Sequence, residues 1–130
     1  MTAVDPAVRE LAHAANFATI SVLLRSGQPM THVMWVDADD DHVLLNTELH
    51  RAKFKAIERD PRVTVTIWKR DDPYTYAEVR GRVVEIVRGP EARAHIDALS
   101  RKYRGRDYDP ERITSERVIL RIRPDVQRIH

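Results

Sequence analysis

The chain has 130 residues, 42% of them hydrophobic and 32% charged, with 22 Lys and Arg against 20 Asp and Glu for a net charge of +2. This length predicts one domain over residues 1–130, and this balance excludes disordered and fibrous classes. The absence of cysteine rules out disulfides, thiolate metal sites and cysteine nucleophiles, and so small a net charge argues against a nucleic-acid partner.

Asp5-Pro6 reads as an N-cap and first helical position, and Val8, Leu11, Ala12 and Ala15 repeat at helical spacing, so a helix is expected over Pro6–Asn16. FATISVLLR (Phe17–Arg25) is rich in β-branched residues and reads as a strand. SGQP turns the chain into MTHVMWVD (Met30–Asp37), the second half of a hairpin. DADDD turns it again into HVLLNT (His42–Thr47). ELHRAKFKAIERD changes period, places Ala52, Ala56 and Ile57 on one side, and stops before Pro61 as a short helix. RVTVTIWK (Arg62–Lys69) alternates strictly. RDDP turns into the long strand YTYAEVRGRVVEIV (Tyr74–Val87), in which Gly81 marks a bend or bulge. Gly89-Pro90 opens a helix over Glu91–Tyr103, with Ala92, Ile96 and Leu99 on its apolar face. A polar loop leads to the strand ERVILRIR (Glu116–Arg123), with a short one expected after Pro124.

The expectation is mainly β with α: six to seven antiparallel strands in a barrel and about three helices. A domain this small buries only about two-thirds of its unfolded surface, so a homodimer that completes the strand faces is expected. The N-terminal MTAVDPAVRE shows no basic region followed by an apolar core, and no apolar run reaches a membrane span, so a cytoplasmic protein without a membrane partner is expected.

Chemistry-bearing motifs are scarce. The P-loop, the dinucleotide-binding glycine pattern and HExxH are absent. The six His residues lack metal-ligand spacing, and His95 with Glu91 at i,i+4 predicts a solvated helix face. Two segments are locally basic, His50–Lys55 and Ser100–Arg106, which suits a small polyanion better than a duplex. A chain with so little acid–base chemistry either binds a ligand or borrows reactivity from a cofactor.

The words FATISVLLRSGQPMTHVMWV, LLNTELHRAKFKAIERDPRVTVTIW, DDPYTYAEVRGRVVEI, RKYRGRDY and ERVILRIRP, in that order, cover most of the chain. In this ensemble the chain resembles the split β-barrel superfamily of flavin and deazaflavin oxidoreductases, to which pyridoxamine 5′-phosphate oxidase belongs. The likeness is strongest to the branch that depends on the deazaflavin coenzyme F-420. The resemblance implies a homodimer with two cofactor sites at its interface. It implies that His32, Met34 and their neighbours through Trp35 line one side of the ring, and that Asn46, Thr47 and the following helix start at Ala52 carry cofactor contacts. It places Arg51, Lys53 and Lys55 at the basic phosphate-binding positions, and Tyr74 and Tyr76 on an aromatic strand start that helps enclose the cofactor. Lys102, Tyr103 and Arg104 fall near the cofactor tail or the substrate mouth. The chain departs from the pattern at Ala56, where many members carry Asn.

Arg51 and Lys55 are i,i+4 and so share a helix face, with Lys53 pointing elsewhere. A basic track of Arg51, Lys53 and Lys55, extended by Lys102, Arg104 and Arg106, suits the phosphodiester and oligoglutamyl carboxylates of coenzyme F-420 better than the single phosphate of FMN. The implied activity is hydride transfer from reduced F-420 to an unsaturated small-molecule acceptor. The alternatives are an FMN-dependent oxidase or reductase on the same barrel, and a non-enzymatic carrier of a cofactor or haem-type ligand. No residue is singled out as catalytic, and no metal is expected.

Overall fold

A computed structural model describes residues 3–130. Its strands form one sheet, antiparallel throughout, and the sequence order explains most of it. Helix α1 (Pro6–His13) starts where expected, with Asp5 Oδ1 accepting from the Ala7 N–H at 2.9 Å and Pro6 in the first turn. It ends three residues before the expected Asn16. Strands β1 (Phe17–Leu23) and β2 (Pro29–Met34) form the hairpin. A two-residue strand, β3 (Asp37–Ala38), interrupts the acidic turn and pairs with β4 (Val43–Glu48).

Helix α2 (Ala52–Arg59) is followed by β5 (Arg62–Lys69) and the long β6 (Asp72–Val87). Helix α3 (Pro90–Arg104) runs from Gly89 to a left-handed Gly105, the usual solution for a helix C-terminus. A short 3-10 turn at Pro110–Arg112 leads to β7 (Arg117–Ile129). The spatial order is β2-β1-β5-β6-β7-β4-β3.

The expected break at Pro124 does not occur. β7 runs through it because the β6–β7 register shifts beside Gly81, whose partner is Pro124. The shift accommodates a residue with no N–H to donate. Gly81 is required there, since a Cβ would stand 1.9 Å from the Arg123 carbonyl oxygen.

One buried cluster draws on α1, β1, β4, β5, β6 and β7, with Ile20, Leu45, Ile67, Val79, Leu120 and Ile122 all 1% exposed or less. On β4, Val43 and Leu45 point into that cluster, so Asn46 turns to the other face. On β7, Val118, Leu120 and Ile122 point inward, so Arg117 and Ile119 turn outward. Ala92, Ile96 and Leu99 of α3 are buried outside the central cluster and cover this outer side of β4 and β7. No described helix is long and apolar enough to cross a membrane.

Candidate functional site

The end of β4, the start of α2, the Val33–Trp35 segment and the α3–β7 connection meet around a cleft of about 350 Å³. Phe17, Val33, Met34 and Trp35 form an apolar and aromatic wall. Arg51, Lys53, Arg104, Arg112 and Arg117 supply five cations, and among the described residues no carboxylate lines the cavity. A larger groove of about 540 Å³ lies across β1, β5 and β6, but there Arg62 is paired with Asp60 and Arg80 with Glu78.

The positive charge begins at α2. Arg51 is the N-cap and keeps extended backbone angles, and no side chain caps this end. The Phe54 and Lys55 N–H groups bond back to the Arg51 carbonyl, which leaves the Ala52 and Lys53 N–H groups free. Such an end attracts an anion. Lys53 is 7% exposed. Burial first, then the Arg51 and Arg117 charges, push its amine below the ordinary lysine range. His32 on β2 has its pKa pushed down by partial desolvation and by the Lys53 and Arg51 charges.

Arg117 is buried and lies over the Tyr108 ring, with its Nε–H donating to Asn46 Oδ1 at 2.8 Å. Its Nη1 stands 4.0 Å from Glu48, whose Oε1 already accepts from the Thr114 N–H at 2.9 Å. Burial dominates and lowers the Arg117 pKa. Across the cleft, Arg104 lies over the Trp35 ring, and Tyr108 meets Trp35 edge-on.

Among the expected site residues, Met34, Asn46, Thr47, Arg51, Lys53 and Arg104 line this cleft. Ala52 adjoins it through its free N–H. Asn46 lines it, but both of its amide hydrogens and its carbonyl oxygen are engaged within the chain, with Ala92, His95 and Arg117. The expected pairing of Arg51 with Lys55 is reversed. Arg51 is the N-cap and keeps extended backbone angles, so its side chain leaves the face that Lys55 follows; buried Lys53 lines the cleft with it, and Lys55 does not.

His32 is exposed on β2 beside α2, outside the lining. Tyr74 is 87% exposed at the β5–β6 turn, and Tyr76 stacks on His130. Lys102 is turned away from the cleft, because α3 continues through Arg104 and carries it toward α1. There its amine donates to the Ala12 and Val36 carbonyls at 2.8 and 2.5 Å. The expected solvated face at His95 and Glu91 is also corrected. Glu91 pairs with Arg121, but the His95 ring turns inward from α3 against Asn46 and is only 10% exposed.

Arg112, Arg117 and Tyr108 were not expected. Arg117 was legible only as an outward residue of β7, and the other two sit on a connection with no periodic signal.

The sequence model of the family described as pyridoxamine 5′-phosphate oxidase matches residues 4–129. Among solved structures, an F420 reductase is similar at 27% identity and TM-score 0.84, over 96% of this chain and 98% of that one. A conserved hypothetical protein from Mycobacterium tuberculosis is 27% identical with TM-score 0.68, over 95% and 80%. The general stress protein 26 of Bacillus anthracis shares the fold at 20% identity and TM-score 0.70, over 95% and 90%. No match was found among curated proteins.

Proposed function

We propose that this chain, which belongs to the pyridoxamine 5′-phosphate oxidase family, is a homodimeric reductase that uses the deazaflavin coenzyme F-420. The observation that carries the reading is the cleft itself, with five cations, no carboxylate and two free helix N–H groups beside an apolar wall. A single phosphate leaves most of that charge unanswered. A phosphodiester followed by several carboxylates answers it, and the similarity to an F420 reductase supports the same choice.

When bound, the reduced deazaflavin supplies a hydride to an unsaturated acceptor. The chain's contribution is to bind, orient and exclude water. Arg51, Lys53 and the α2 N–H groups hold the phosphodiester, and Arg104 and Arg112 receive the carboxylates farther along. Phe17, Val33, Met34 and Trp35 offer the ring a dry surface, and the proton that follows the hydride comes from solvent. Val33, 65% exposed, and Thr31 leave one face of the edge strand β2 open, and His32 is exposed on the other. A second copy closes the cleft from that side.

Titration of the purified protein with coenzyme F-420 and FMN tests the cofactor. F-420 is expected to bind well below millimolar and more tightly than FMN. Tight FMN binding with no F-420 binding overturns the reading in favour of the flavin enzyme, and F-420 binding without turnover of any enone or quinone acceptor favours a carrier. Arg51→Ala and Lys53→Ala are each expected to weaken F-420 binding by about 1–3 kcal/mol, as for a lost charge-assisted hydrogen bond. Unchanged calorimetric affinity in both removes the assigned site. Sedimentation is expected to give twice the chain mass, and a monomer at micromolar concentration removes the dimer.

A further inference from the structure

Behind Arg117 runs a chain of hydrogen-bonding groups whose polarity is fixed from one end to the other. A guanidinium has no acceptor, so the Asn46 atom 2.8 Å from Arg117 Nε is its carbonyl oxygen. The Asn46 amide nitrogen therefore faces α3, where it donates one hydrogen to the Ala92 carbonyl at 3.0 Å. Its other hydrogen reaches His95 Nδ1 at 3.1 Å, so Nδ1 presents a lone pair and the ring proton sits on Nε2. His95 Nε2 is buried with no other partner and stands 3.5 Å from Asp37 Oδ2. Burial works to raise the Asp37 carboxyl, but the His95 ring, the Ala38 N–H and the Lys102 charge outweigh it and hold Asp37 ionised.

We infer that His95 is a positioning residue for the anion site: through Asn46 it fixes the guanidinium of Arg117, and Asp37 fixes the tautomer that makes this possible. Asn46 and Arg117 are diagonal neighbours on the outer face of the β4–β7 pair, and His95 closes over them from α3. With Nε engaged by Asn46, the fork of Arg117 has one orientation in which its remaining N–H groups meet the cleft. Without His95, the Asn46 NH2 keeps only the Ala92 carbonyl as partner and one of its hydrogens is left without an acceptor, so the amide is held less firmly against Arg117 Nε–H. The one side-chain hydrogen bond of Arg117 among the described residues is then loosened, and its fork is less firmly aimed. The effect on ligand affinity rests on the proposed function, but the tautomer and the fixed guanidinium do not.

The first measurement therefore needs no ligand. Nitrogen-15 spectra of the free protein are expected to show His95 as the Nε2–H tautomer and a slowly exchanging Arg117 Nε–H. That proton is expected to exchange fast in His95→Leu and to stay protected in His95→Asn, whose Oδ1 stands where Nδ1 stood. An Nδ1–H tautomer in the wild type, or an Arg117 Nε–H equally protected in His95→Leu, overturns the inference even if one variant folds poorly. The second measurement is calorimetry with coenzyme F-420. His95→Leu is expected to weaken binding about tenfold, His95→Asn about twofold, and neither to matter in an Arg117→Met background. A full tenfold loss persisting in that background also overturns it. Failure of the wild type to bind F-420 removes the proposed function and leaves the spectra to decide the relay.

Discussion

A lysine that is 7% exposed and has only like charges for electrostatic neighbours raises the free energy of the empty fold. Lys53 meets that description, and its cost is tolerated where a ligand supplies the missing anion. Truncating the charge should therefore act in opposite directions on stability and binding. Lys53→Met keeps the aliphatic stem and removes the ammonium. The ligand-free variant is expected to melt a few degrees higher than the parent, as for about 1 kcal/mol of relieved desolvation. Its affinity for F-420 should fall as the alanine variant's does. A lower melting point in the ligand-free state would show that Lys53 has a stabilising partner after all.

At the scale of elements, α3 does two jobs that its periodicity only half reveals. Ala92, Ile96 and Leu99 announce an apolar stripe, and that stripe is buried as read. The polar side chains on its flanks carry the rest. Lys102 caps the end of α1 through the Ala12 carbonyl and ties the β2–β3 link through Val36. The Tyr103 hydroxyl donates to the Asn16 carbonyl and accepts from the Val36 N–H, while its ring stacks on Trp35. Lys102→Met should cost about 1–3 kcal/mol, because it leaves two buried carbonyls without a donor. Chemical denaturation with an unchanged midpoint would refute the clamp. Most of the strands, α2 and the bulge at Gly81 were legible because each rests on local chemistry: alternation, a proline stop, a glycine in a strand; the two-residue β3 and the run of β7 through Pro124 were not. Arg51 and Lys53 were legible for the same reason, as a basic run at a helix start. The aim of Lys102 and the burial of His95 were not, because both depend on which elements α3 packs against. Tyr74 and Tyr76 show the converse: an aromatic pair reads as a wall, yet in this chain one is exposed and the other stacks on the C-terminal His130.

For the molecule as a whole, the charged groups make stability depend on pH in a way that their individual shifts do not rank. Asp60 has its carboxyl pushed to about 2 by Arg62, further than any other acid here. Asp37 is lowered with burial opposing, by the His95 ring, the Ala38 N–H and the Lys102 charge. A lowered carboxylate contributes stability that is present above its ordinary value of 3.8 and is lost as pH falls through its folded value. What enters that balance is the difference between folded and unfolded chains. Arg62 is two residues from Asp60 and pairs with it at 2.7 Å, so much of this contact survives unfolding. The side-chain partners of Asp37 belong to α3 and part from it completely when the chain unfolds. Urea midpoints are therefore expected to fall steeply below about pH 4, and Asp37→Asn should flatten that fall more than Asp60→Asn does. The amines act in the opposite range. Lys53 and Lys102 are lowered from 10.5 chiefly by burial, so the folded chain binds fewer protons than the unfolded one below that value. Stability should rise with pH there, until the buried Tyr103, raised from 10.0, opposes it. Lys53→Met should remove part of that alkaline rise and leave the acid limb unchanged. An acid limb governed by Asp60 would mean that its pair with Arg62 is lost on unfolding after all.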